Sequence, residues 1–393
     1  METIEPFVFA RMPEIHFGPG KIRQLPNLIA QKGRKVLLVT GAKSFLRSPH
    51  YDQLTSSLAE NGVAIDHVSV SGEPSPRFVD DTVARLRGTV DCVAAIGGGS
   101  VVDAGKAISA MLLQEGSVTA FLEGMETRKH DGRKVPFIAV PTSSGTGAES
   151  TKNAVLSDIG PDGYKSSLRH DAFVPDIALV DPELILTCPP DVTAACGLDA
   201  LTQLIEAYVS TKASPITDAL AESGLIRAAS GFLAAFEQGA TNREARSDMA
   251  YAALISGAVL ANAGLGVVHG FAGPIGGFHE IPHGVVCGTL VGAATRAVVD
   301  ALISDTGRYH AALHKYARAG ALLTGRTTGD VVGDSRLLVE TLETWIERTR
   351  IPRLGQFGVR ETDLDKILDK SNNKNAPVQL SREQMTGVLR SRL

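Results

Sequence analysis

The sequence predicts an α/β domain over residues 1–185 and an all-helical domain over residues 186–393. Three observations carry that fold class. Short apolar runs alternate with helix-length amphipathic stretches in the first half. The strand signals stop after Asp181-Pro182-Glu183. Alanine-rich segments of helical period fill the remainder. The length of 393 residues agrees, since about 150 residues per domain gives two or three domains. A composition 44% hydrophobic and 21% charged is that of a folding chain.

The elements follow in order. Residues 35–40 (KVLLVT) form an apolar run ending at Gly41, and residues 63–70 another ending near Gly72. Residues 92–96 precede Gly97, and residues 135–140 precede Pro141. Amphipathic stretches at 78–86 and 101–113 lie between them. Continuous apolar strands alternating with helices imply βαβ units and a parallel sheet buried on both faces. From Asp191 onward helical periods occupy 199–208, 216–236, 248–261, 283–299 and 334–348. The polar stretch 370–376 reads as a surface loop. The cleft between the two domains is the expected binding site.

Charge and composition exclude several classes. Lys plus Arg number 39 against 43 Asp plus Glu, with no basic stripe of the kind a nucleic-acid binder needs. No window reaches the roughly eighteen uninterrupted apolar residues of a membrane span. The start, Met1-Glu2-Thr3-Ile4-Glu5, carries acids where a signal peptide needs a basic region, so a cytoplasmic protein is expected. Four scattered cysteines without a CxxC fit reduced thiols.

Two turns stand out in the first half. Gly97-Gly98-Gly99-Ser100 follows a strand and opens a helix, where free amides of the first turn favour an anion such as a pyrophosphate. Known phosphate patterns do not fit: Val102 stands where GxGxxG needs its third glycine, and Ser100 and Ala107 break a P-loop. Phosphate binding by another pattern is expected, the alternative being a tight turn without a ligand. Residues 141–149 (PTSSGTGAE) also follow a buried strand, and their hydroxyls and glycines supply donors and close approach. One dinucleotide can span both turns.

In the second half Asp199 and Gln203 share a helix face at a spacing of four. Taken alone they read equally as a capping carboxylate and a surface amide. Residues 264–284 hold three of the ten histidines, His269, His279 and His283, which favours a metal or proton-transfer role over three separate core residues. His279-Glu280-Ile281-Pro282-His283 matches HExxH literally. Pro282 interrupts the helix that a zinc peptidase requires, so a helix beginning at about Pro282 is expected, with His279 and Glu280 in the loop before it.

With these residues in order, the chain resembles the iron-containing, or group III, alcohol dehydrogenases. The resemblance rests on Gly97 to Ser100 with Asp103 and Lys106, on Pro141-Thr142 to Gly147 with Glu149, and on Asp181-Pro182-Glu183-Leu184. Gly197-Leu198-Asp199-Ala200 and Pro282-His283-Gly284 complete it. It implies a dehydroquinate synthase-like fold with the active site in the interdomain cleft, and hydride transfer between NAD(P)(H) and a primary alcohol or aldehyde. It also implies a homo-oligomer.

Carried over residue by residue, the turn from Gly97 through Gly98 and Gly99 to Ser100 holds the pyrophosphate, while Thr142, Ser143 and Thr146 line the cofactor. Asp103 and Lys106 support the turn, and Lys106 is also counted among catalytic residues. A divalent ion, Fe²⁺ or Zn²⁺, is held by Asp199, Gln203, His269 and His283, a donor set suited to either ion. Two positions depart from the family: Gln203 replaces a histidine, which weakens the implied site, and Gly273 replaces a second histidine just past His269. Gly41, Lys43 and Ser44 follow an early strand without the acid that repels a 2′-phosphate, so NADPH is expected to serve at least as well as NADH. His279 is the expected proton relay in place of Gly273, a packing role being the alternative. Other readings are a lyase or cyclase like dehydroquinate synthase, disfavoured because residues 264–284 hold no lysine or arginine, and a nucleotide-binding protein that has lost its metal.

Overall fold

The structure, a computed structural model, describes residues 4–393, so the opening Met1-Glu2-Thr3 of the acidic start lies outside the described residues. In the first half, β1 (Glu14–Phe17) and α1 (Leu25–Ala30) precede β2 (Lys35–Gly41), α2 (Pro49–Glu60) and β3 (Ala64–Val70). Then follow α3 (Pro76–Leu86), β4 (Cys92–Gly97), α4 (Gly99–Met111) and β5 (Phe137–Pro141). β6 (Asn153–Asp158), β7 (Tyr164–Arg169) and β8 (Ile177–Val180) complete it. Six strands form one parallel sheet in the order β1-β8-β5-β4-β2-β3.

Both faces of that sheet are covered, which is why its strands read as unbroken apolar runs. Leu37, Val39, Val93, Ala95 and Phe137 pack on one face with the buried side of α4. Val36, Leu38, Cys92, Ala94 and Ile138 pack on the other. Each such Leu, Val or Phe contributes about 1.5–3 kcal/mol on leaving water. Gly105 allows α4 to lie directly on the sheet, since a Cβ there would stand 2.6 Å from Ala95 Cβ.

The β6–β7 hairpin is a separate antiparallel pair whose longest apolar run is Ala154-Val155-Leu156, and it is not expected from the sequence. β1 and β8, four residues each, are likewise additions to the predicted strands.

The second half is helical: α5 (Pro190–Tyr208), α6 (Pro215–Gln238), α7 (Arg243–Ala263), α8 (Val267–Phe278), α9 (His283–Ile303), α10 (His310–Thr324), α11 (Val331–Thr349), α12 (Leu364–Lys370) and α13 (Arg382–Arg390). α6 and α9 are each long and apolar enough to cross a bilayer. Their apolar residues also meet other helices: Phe232 of α6 lies over Gly197 of α5, and Gly288 of α9 lies against Leu198. Gly264, at φ 71°, ends α7, and α8 leaves at 98° to it. α8 runs through Pro274, a helix the proline and glycines conceal in the sequence. α9 begins at His283 with Pro282 as its cap, as expected.

The stretch 370–376 is a loop with Lys370, Asn372 and Lys374 exposed, as expected, but alternate residues turn inward. Asn373 and Asn375 are buried, their side-chain amides donating to the carbonyls of Leu380 at 3.3 Å and Leu265 at 3.0 Å. This segment packs so closely on α8 that a Cβ at Gly270 would fall 1.7 Å from the Asn372 carbonyl oxygen.

Candidate active site

The sheet order places the first part of the site. From β2 the chain steps to β3 on one side and to β4 on the other, so the carboxyl ends of β2 and β4 flank a crevice of the type that binds ligands in open α/β sheets. Gly41 ends β2 and Gly97 ends β4, while Lys43 and Ser44 are exposed just beyond. Gly97 pairs with Pro141 at the end of β5, and the Thr142 amide donates to the Gly97 carbonyl at 2.9 Å. The two turns therefore emerge side by side.

They also touch. A Cβ at Gly98 would stand 3.4 Å from Ser143 Oγ, and one at Gly99 would stand 2.6 Å from Thr146 Oγ1 and Cγ2. Glycine lets these backbones close together at the start of α4, whose first amides have no partner within the helix. Ser144 Oγ in the second turn and Asn153 Oδ1 at the start of β6 are buried without a hydrogen-bond partner. Unsatisfied polar atoms and an anion-seeking helix start fit a nucleotide.

Lys106 is elsewhere. Its Nζ is fully buried and donates to the carbonyls of Ala148 at 2.8 Å, Thr151 at 2.9 Å and Asn153 at 2.8 Å, with Thr151 Oγ1 at 2.7 Å. The ammonium has three protons and four acceptors, so none remains for a substrate. This corrects its placement among catalytic residues: Lys106 ties α4 to the segment that carries the second turn. Burial pushes the Asp103 carboxyl up and the Lys106 ammonium down, while each opposes the shift of the other.

The second part of the site comes from three helices. Asp199 of α5, His269 of α8, and His283 and Cys287 of α9 offer ligand atoms that all lie within 4.8 Å of one another. Asp199 Oδ1 stands 3.4 Å from His269 Nε2 and 3.7 Å from His283 Nε2. Cys287 Sγ stands 3.6 Å from each of those nitrogens. Asp199 is 1% exposed, and its Oδ1 has no hydrogen-bond partner. A buried carboxylate oxygen left bare among imidazoles fits a cation.

The electrostatics of the four groups divide. Burial drives the His283 imidazole down to about 4, against the pull of Asp199, so the ring is neutral near pH 7 and one of its nitrogens is free to act as a ligand. Burial opposes a charged His269, yet Cys287, the nearby Asp199 carboxylate and the hydrogen bond to Glu206 hold its pKa well above the ordinary value. Burial raises the Cys287 thiol to about 12. Burial also works against the Asp199 carboxylate, and the two histidines outweigh it, leaving the group below its usual range.

The remaining predicted residues divide. Gln203 of α5 borders a cavity that His269 and His283 also line, and its Oε1 takes the Ser256 hydroxyl at 2.6 Å. Gly273 lies one turn past His269, and nothing stands within 4 Å of where its Cβ would be. His279 is not brought to the cluster. The reason is α8, which continues to Phe278 and carries His279 about 15 Å along the axis from His269 at 1.5 Å per residue. His279 Nε2 instead lies 3.7 Å from Asp363 Oδ2. With His279 at the end of one helix and His283 at the start of the next, the HExxH match forms no site.

Sequence reasoning also missed residues. Cys287 follows His283 by four on α9, a spacing that places both on one face. Glu206 accepts His269 and orients it. β7 brings Lys165 and Arg169 to the cavity, so it is not free of cations. Each carries its own acid, Glu73 at 3.2 Å and Glu123 at 2.7 Å, which leaves little net charge.

Comparison with known proteins places this geometry. The family model described as iron-containing alcohol dehydrogenase matches residues 13–182, and that of the Fe-containing alcohol dehydrogenase family, C-terminal, matches residues 193–393. The chain is 34% identical over 366 residues to long-chain-alcohol dehydrogenase 1 of Geobacillus thermodenitrificans (strain NG80-2), covering 90% of this chain and 87% of that one. It is 30% identical over 392 residues to the NADPH-dependent butanol dehydrogenase of Clostridium saccharobutylicum, covering 95% of each. A crystal structure of 1,3-propanediol oxidoreductase superposes with a TM-score of 0.88 at 28% identity, covering 99% of this chain and 100% of that one.

Proposed function

The chain belongs to the iron-containing alcohol dehydrogenase family, and on that premise we propose that it interconverts a primary alcohol and its aldehyde, using NADPH at least as well as NADH and a divalent ion, Fe²⁺ or Zn²⁺. The observation that carries this reading is one cavity of about 270 Å³, in which Gly99, Ser100 and Thr146 face His269, Gly273 and His283. Cradle and cluster open into the same space.

When bound, the nicotinamide supplies hydride exchange and the ion supplies a Lewis acid at the substrate oxygen. The chain's own residues do the rest. The amides at Gly99 and Ser100 would hold the pyrophosphate at the start of α4, with Ser143 and Thr146 of the second turn packed against Gly98 and Gly99. Asp199, His269 and His283 hold the ion, with Glu206 fixing the imidazole of His269. Gly273 leaves open space beside His269, and His279 faces Asp363, so the alcohol proton would leave by way of the cavity rather than through His279. The exposed Lys43, next to a Gly41 that bears no charge, favours a 2′-phosphate.

Nicotinamide absorbance followed with a panel of primary alcohols and aldehydes, with and without added Fe²⁺ or Zn²⁺, tests the reading. Metal-dependent turnover with both nucleotides is expected. Absence of turnover with every member of the panel and either ion overturns it, and a strong preference for NADH removes the cofactor assignment alone.

A further inference from the structure

The proposed function takes Asp199, His269 and His283 as metal ligands, and the inference that follows rests on that reading. Three protein donors leave the identity of a fourth open. The residue at 203 offers a neutral carbonyl oxygen, and that oxygen takes the Ser256 hydroxyl at 2.6 Å. We propose that Cys287 is the fourth donor, its thiolate completing an Asp199, His269, His283, Cys287 site that takes Zn²⁺ or Fe²⁺ over hard ions such as Mg²⁺.

The distances carry it. A tetrahedral ion bound at about 2.0–2.1 Å to nitrogen or oxygen and about 2.3 Å to sulfur sets its ligands apart by about 3.3 Å for N to O and about 3.6 Å for N to S. The four edges given above are 3.4 and 3.7 Å from Asp199 Oδ1 to the two imidazole nitrogens and 3.6 Å from Sγ to each of them. These four match the ligand-to-ligand spacings expected around one centre, and all four ligand atoms lie within 4.8 Å of one another. A thiol used for packing has aliphatic neighbours, whereas the Cys287 sulfur sits against two imidazole nitrogens and beside a buried carboxylate oxygen with no partner.

Sequence position makes this inexpensive. His283 and Cys287 are four apart on α9, so one rigid helix face presents both donors. The chemistry also compensates. Loss of an imidazole at 203 removes a strong neutral donor, and a thiolate returns a stronger, charged one that balances the ion together with Asp199. On loading, the S–H bond breaks, a sulfur-to-metal bond forms, and the proton passes to buffer. No oxidant is required.

The test uses Co²⁺ as the probe ion on full-length protein stripped by a chelator. Thiolate ligation to Co²⁺ gives an intense near-ultraviolet charge-transfer band that imidazole and carboxylate do not give. With one ion per chain by elemental analysis, the band is expected in the native protein and in Gln203→Ala, and absent in Cys287→Ser. Zn²⁺ affinity by competition with a chelating dye is expected to fall about tenfold or more in Cys287→Ser and by less in Gln203→Ala. One bound Co²⁺ without the band in the native protein overturns the proposal and leaves the proposed function standing. A band that persists in Cys287→Ser also overturns it. Failure of the native protein to bind any ion overturns both readings together. The native spectrum needs no variant, so a Cys287→Ser chain that does not fold leaves the test decisive.

Discussion

His269 Nδ1 lies 2.7 Å from Glu206 Oε2, and Glu206 Oε1 accepts the Val268 amide at 2.6 Å. One carboxylate thus holds both the ring and the backbone at the start of α8. With a carboxylate as acceptor the imidazole donates from Nδ1, and Nε2 is the nitrogen that faces Asp199 and Cys287. Glu206→Ala is expected to weaken metal retention by about 10–100-fold while leaving the helical content intact. Ion content after dialysis against a graded chelator, with circular dichroism as the control, measures this. Retention equal to the native protein would show that the Glu206 contact does not orient a ligand.

Lys106 is expected to behave as an anchor. Replacing it by Met leaves three carbonyls and the Thr151 hydroxyl without the ammonium that joins them in a buried setting. The loss is expected to be about 3–5 kcal/mol in denaturant unfolding, the range for removing one member of a buried charged network. The pH dependence of kcat in the folded fraction should not move, because the ammonium touches no reacting atom. A shifted pH profile at unchanged stability would restore a catalytic role.

The legible and illegible parts of this molecule differ in where their burial comes from. β2 and β4 could be read because their own side chains fill both faces of the sheet. β6 and β7 could not, because their inward apolar residues are few, Ala154 and Leu156 on β6 and Leu168 on β7, and Tyr164 and Lys165 are partly covered by α8. α8 was hidden by glycines that serve close approach: Gly277 meets the Tyr164 backbone, and Gly270 meets the Asn372 carbonyl. Asn373 and Asn375 looked like loop residues, and they are buried because their amides satisfy backbone carbonyls. Asp199, His269 and His283 could be drawn together from the family resemblance. Cys287 could not, since a cysteine within an apolar helix reads as core; only its spacing of four from His283 marked it.

Glu149 sets a pH dependence of stability. The side chain is 3% exposed, and burial raises its carboxyl to about 7 from an ordinary 4.5, against the pull of its own amide and Lys106. The folded state therefore binds the proton more tightly than the unfolded chain. This contribution is fully present below pH 4.5 and is lost as pH rises through about 7. Glu149→Gln, neutral throughout, is expected to match the native protein at low pH and to exceed it by about 1–3 kcal/mol near pH 8. Thermal unfolding of the pair across that range reads the difference. Parallel curves at all pH values would mean that the folded carboxyl is not raised.

Gly41 offers the sharpest test of nucleotide choice. It is the last residue of β2, at the crevice between the ends of β2 and β4. A Cβ there would have only Val101 Cγ2 within reach, at 3.9 Å, so a side chain is sterically admissible. An acid at this place in a dinucleotide crevice hydrogen-bonds ribose hydroxyls and repels a 2′-phosphate. Gly41→Asp is therefore expected to lower kcat/KM with NADPH by at least about tenfold, which corresponds to about 1.4 kcal/mol, while NADH is spared or improved. Lys43→Ala should reduce NADPH use in the same direction by a smaller factor, since Lys43 is exposed and its attraction for the phosphate is screened. The two effects together separate repulsion from lost attraction. Equal losses with both nucleotides would place the 2′-position of the ribose away from Gly41 and remove the ground for expecting NADPH.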